Sequence, residues 1–296
     1  TMTQFLRQVA EHYHRAGGLE KLCFIFPNRR SMAFFTKYLS EAVRGSDTPV
    51  IAPRMYTIND FFYRVSGVSS VDRVCQLLDL YKSYTEVFAL HNTRPEVKPE
   101  ALDEFIFWGD VILGDFNDVD KYMVDPQQLF RNISDYRQLQ DDYTYLTDTQ
   151  KEAINAFIRH FKDDSGKLTV NIDTDDADVK GRFLLIWNLL LPLYKEFGDS
   201  LRAKGMAYEG MVYRGLVEKL KEEDILEVMH AVFPREESFV FVGLNALNEC
   251  EKAVLRKLRN ASLAEFCWDW SGDMIRDPQN RSSFFMSDNV KEFPQA

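Results

Sequence analysis

Apolar positions change their period along this chain, and the changes mark its elements. Phe5, Val9 and Tyr13 recur at a spacing of four, with Leu6 and Ala10 beside them. That pattern predicts a helix over Thr3–Arg15. Gly17 and Gly18 then supply the left-handed conformation a helix end needs. Leu22–Phe26 is an unbroken apolar run, LCFIF, closed by Pro27, and reads as a buried strand. A turn at Asn28-Arg29-Arg30 leads to a helix over Ser31–Val43, and Val50–Tyr56 reads as a second strand. Thr57-Ile58-Asn59-Asp60 has the form of a capping box: the Thr57 hydroxyl accepts from the backbone three residues on, and Asp60 reaches back. Phe61, Phe62 and Val65 open the helix it caps. Helix–strand–helix–strand–helix is the order of an α/β domain with a parallel sheet.

From Val71 to Ser200 the alternation stops and helical spacing takes over. Val74, Leu77, Leu78 and Tyr81 form one face. Phe105, Trp108, Ile112 and Phe116 form a second, and Leu129, Ile133, Tyr136 and Leu139 a third. A further helix opens at Thr147 and Gln150 and runs through Ile154, Phe157, Ile158 and Phe161. Phe183–Phe197 reads as another, with Pro192 expected to kink it. The polar stretch Asp163–Lys180 is expected to be a solvated loop or short hairpin. Its cluster of Asp173, Asp175, Asp176 and Asp178 lacks the glycine a calcium loop needs at its sixth place. The α/β pattern returns with a helix after Tyr208, a buried strand at Phe239–Val242 and a turn at Gly243–Asn248. Asn248 and Glu251 then cap a helix carrying Val254, Leu255 and Leu258, and Leu263–Trp270 reads as a last strand. The expected organisation is an α/β domain over 1–70 and 201–296, interrupted by an all-helical domain over 71–200.

Charge narrows the partners. The 296 residues carry a formal net charge of −10, so any contact with nucleic acid must come from a local group of Lys or Arg. The four cysteines, Cys23, Cys75, Cys250 and Cys267, form no CxxC pair and read as free thiols of a reducing cytoplasm, without metal. No apolar run is long enough to span a membrane. The amphipathic start does not resemble a signal peptide, and Met2 reads as the natural start.

Much catalytic chemistry has no sequence here. No GxxxxGK[ST] loop occurs, and the first strand runs into Pro27, which offers no phosphate nest. The strand at Phe239–Val242 is followed by Gly243, Leu244 and Asn245 rather than carboxylates for magnesium. GxSxG and HExxH are missing too. His12 and His14 stand on different sides of a helix, His91, His160 and His230 are isolated, and the pairs Asp103/Glu104 and Asp141/Asp142 read as solvated surface. No cofactor or metal is expected.

The order of segments resembles the first motor domain of the UvrD-like superfamily I helicases, in the diverged form found in AddB- and RexB-type helicase–nuclease subunits. Phe24–Ser31 looks like the segment after a sheet strand where such proteins track single-stranded DNA. Tyr56–Phe62 looks like the next element, and Phe107–Asp120 like the entry to the helical insert. Gly205–Tyr213 looks like the return to the sheet, and Phe239–Leu258 occupies the place of the magnesium motif without its acidic pair. The resemblance implies a RecA-like, P-loop-NTPase-like fold with a helical insert. It implies a longer parent chain with a C-terminal PD-(D/E)XK nuclease, whose Fe–S cysteines the four here do not match. It further implies a catalytically inactive module that guides DNA during double-strand break repair and recombination and pairs with an AddA-type subunit in the cytoplasm.

The residues expected to touch DNA under that reading are Arg29 and Arg30, through phosphate, with Asn28 and Thr57 as hydrogen-bonding partners. Lys37 lies farther along the same helix. Phe61 and Tyr63 could stack bases, but their pattern suits the core better. Two other readings stay open: a protein-interaction module without DNA, and a divergent nucleotide-binding ATPase.

Overall fold

The computed structural model describes residues 2–44, 50–92, 98–134, 176–271, 273, 279 and 282–295. The expected helix from Thr147 through Phe161 lies outside them. So do Tyr136 and Leu139 of the third helical face, and Asp163–Asp175 of the acidic stretch. The chain is an α/β protein that divides into two compact units, Thr1–Gly67 with Gly215–Ala296, and Val68–Arg214.

The first unit holds a parallel sheet of four strands: β1 (Leu22–Phe26), β2 (Arg54–Thr57), β5 (Ser238–Val242) and β6 (Ala264–Cys267). Their order is β2-β1-β5-β6, with Ile25 opposite Tyr56 on one side and Phe241 on the other. Successive side chains alternate between faces. On one face Phe24, Phe26, Val240, Val242 and Cys267 pack against α1 (Met2–Ala16) and α2 (Arg29–Arg44). On the other, Phe239 and Phe241 meet Phe61 of α3 (Ile58–Ser66). Phe233, which ends α9 (Ile225–Val232), stacks on Phe61. Phe266 meets Phe293, just past α11 (Ser282–Glu292). With both faces covered, the strands read as continuous apolar runs, which is why LCFIF and FVFV were legible.

Some boundaries move for physical reasons. The second strand starts at Arg54, not Val50, because Pro53 has no N–H for the ladder. The expected turn at Asn28-Arg29-Arg30 is a cap and two helical residues, since α2 begins at Arg29. The last strand ends its ladder at Cys267, short of Trp270.

The second unit is helical: α4 (Arg73–His91), α5 (Leu102–Lys121), α6 (Pro126–Ser134), α7 (Asp176–Ala203) and the start of α8 (Glu209–Glu222). A two-residue parallel ladder joins β3 (Ser69–Ser70) to β4 (Met206–Ala207). Because α7 begins at Asp176, the end of the expected acidic loop is helical, and Pro192 sits inside the helix.

The core gathers Leu80, Tyr84, Phe105, Ile112, Phe116, Leu193 and Phe197. The expected face on α4 is rotated: Val74 is 62% exposed and Leu78 47%. The face turned inward is Leu80, Tyr84, Val87 and Phe88, flanked by Leu77 and Tyr81.

Within this apolar packing sits one polar hub. Asp120, 1% exposed, accepts hydrogen bonds from Tyr194 Oη at 2.5 Å and Tyr208 Oη at 2.5 Å. It also pairs with Arg214 Nε at 2.7 Å. Burial and then the Asp120 charge push both phenols up, so both remain donors. Arg214 further donates to the carbonyls of Val119, in the last turn of α5, and of Val124, just beyond it. One turn earlier on α5, Asn117 accepts from the Gly210 N–H at 2.7 Å.

Candidate nucleic-acid interface

In an open parallel sheet, ligands bind beyond the carboxyl ends of the strands, where the chain order reverses direction. Here β1 leads by α2 to β2 on one side. Strand β5, on the other side of β1, leads onward to β6 by α10 (Glu249–Asn260). Right-handed crossovers in opposite directions place the two helices on opposite faces. The reversal therefore lies between β1 and β5, and the loops after Phe26 and Val242 part there.

The link after β1 is only Pro27 and Asn28 before α2 begins. Asn28 caps that helix: its Oδ1 accepts from the Ser31 N–H at 2.9 Å and from the Ser31 hydroxyl at 3.2 Å. Arg29 and Arg30 follow in the first turn, both exposed. Among the described residues neither forms an ion pair, whereas Lys37 lies 4.0 Å from Glu41 and Arg7 2.9 Å from it. Two unneutralised guanidinium groups thus stand at the positive end of a 16-residue helix.

After β5, Gly243 has a φ of 66° and donates its N–H to Cys267 O at 2.8 Å. Leu244 and Leu247 turn into the core at 4% and 7% exposure. No carboxylate stands in Gly243–Asn245; the first are Glu249 and Glu251 of the next helix. Glu251 completes a capping box with Asn248, as its sequence pattern predicts.

The four sequence-derived candidates therefore share one edge of the sheet but differ in standing. Thr57, at the carboxyl end of β2, is 8% exposed and its hydroxyl accepts from the Asp60 N–H at 3.1 Å. Asn28 and Thr57 are helix caps; Arg29 and Arg30 are the groups free to meet an anion. Phe61 is fully buried in the aromatic cluster, and Tyr63 is half-buried.

Cys23, Cys250 and Cys267 are buried and Cys75 is exposed, all as free thiols. Burial pushes the Cys267 thiol up to about 11. Among the described residues no group of three or more His, Cys, Asp and Glu is placed to hold a metal ion. No described helix is long and apolar enough to cross a membrane. The chain matches no family model and no curated protein.

Proposed function

We propose that this chain is a catalytically inactive, RecA-like helicase module that guides a single strand of DNA, as in the AddB-type subunits of helicase–nuclease repair complexes. The observation that carries the reading is the pair Arg29 and Arg30, exposed and without an ion pair among the described residues, at the reversal point of a parallel sheet. Phosphate contacts made by Arg and by helix N-termini position a strand without reading its sequence. An all-parallel sheet covered on both faces is compatible with the RecA-like fold that the segment order implies.

The same edge argues against ATP hydrolysis. Phosphoryl transfer needs a loop to wrap the phosphates and a carboxylate to hold magnesium. Two residues, Pro27 and Asn28, occupy the place of the first, and Gly243-Leu244-Asn245 the place of the second. Nucleotide should accordingly leave the thermal unfolding temperature unchanged.

The test is fluorescence anisotropy of labelled single-stranded DNA with the whole chain and with Arg29→Ala/Arg30→Ala. The reading expects weak binding that the double substitution abolishes. Equal affinity for both proteins would move any DNA contact elsewhere. Absence of binding at low salt would favour the alternative reading, a module that meets only protein.

A further inference from the structure

We draw no further inference here: the strongest candidate, the exposed aromatic patch of Phe284 and Phe285 in the first turn of α11, is an unpartnered apolar face, and nothing in the structure shows what covers it.

Discussion

The sheet unit and the helical unit solve the same packing problem with different materials. In the sheet unit the backbone ladder fixes the register, and the core needs little beyond apolar side chains: Phe24, Phe26, Val240 and Val242 on one face, Phe61, Phe239 and Phe241 on the other. Its polar contacts are mostly caps at element ends, at Asn28, Thr57 and Asn248, with Glu265 taking hydrogen bonds from Tyr13 and Ser238. The helical unit has no such ladder across its helices, since each helix satisfies its own backbone. It places a buried carboxylate with two phenols and a guanidinium where α5, α7 and α8 meet. Directional bonds there fix a crossing that apolar contact alone would leave adjustable.

Removing Asp120 should therefore cost more than any polar substitution in the sheet unit. Asp120→Ala leaves the part-buried Arg214 guanidinium without its carboxylate and the Tyr194 and Tyr208 hydroxyls without the oxygens they donate to, a loss of about 3–5 kcal/mol. Urea unfolding would show it, and an unchanged midpoint would mean that the hub is incidental. Gly210→Ala comes next. A Cβ there would stand 2.7 Å from the Asn117 carbonyl oxygen and 2.8 Å from its Cα. Backbone cannot yield as a flexible side chain would, so α5 and α8 must part, at about 1–3 kcal/mol.

Asp115 sharpens the contrast through pH. Burial, with Asp118 adding its charge, pushes this carboxyl up to about 7. An unfolded Asp titrates near about 4, so the folded chain holds the proton more tightly. Stability from this group is full below about pH 4 and declines as pH rises through about 7. Asp115→Asn should leave stability at pH 4 unchanged and raise it at pH 8 by on the order of 1–2 kcal/mol, discounted for partial exposure. A variant with the wild-type slope between those values would contradict the assignment. The smallest effect is expected in the sheet unit. Tyr13→Phe removes one hydrogen bond to Glu265, which keeps Ser238 as a donor. The loss should be about 1 kcal/mol, measurable against Asp120→Ala in the same denaturant series.

The two units were also unequally legible. Buried parallel strands announce themselves, and the caps at Thr57 and Asn248 have local signatures four residues long. The helical unit hides its logic. Helix α4 carries apolar residues all round, so periodicity chose Val74 and Leu78 where the fold buries Leu80 and Tyr84. Asp120 lies in a run with Asp115 and Asp118 and has the look of a solvated face. Its partners Tyr194 and Tyr208 are 74 and 88 residues away. Helices α9 and α11 were missed: α9 for its short length, despite the Asp224 cap that marks its start, and α11 because its sequence is polar on most positions. At the candidate interface, sequence brought Asn28, Arg29, Arg30 and Thr57 to one edge. It could not tell caps from free cations, because that distinction is made by the first turn of each helix.

The most direct test of the DNA-guiding account is the salt dependence of single-stranded DNA affinity. Two phosphate contacts predict a slope of log K against log salt of about −1.4, from about −0.7 per phosphate on a single strand. Arg29→Ala/Arg30→Ala should bring that slope to about zero. A slope that survives the double substitution, or no affinity at the lowest salt, would contradict the claim that these two arginines hold a strand at the reversal point of the sheet.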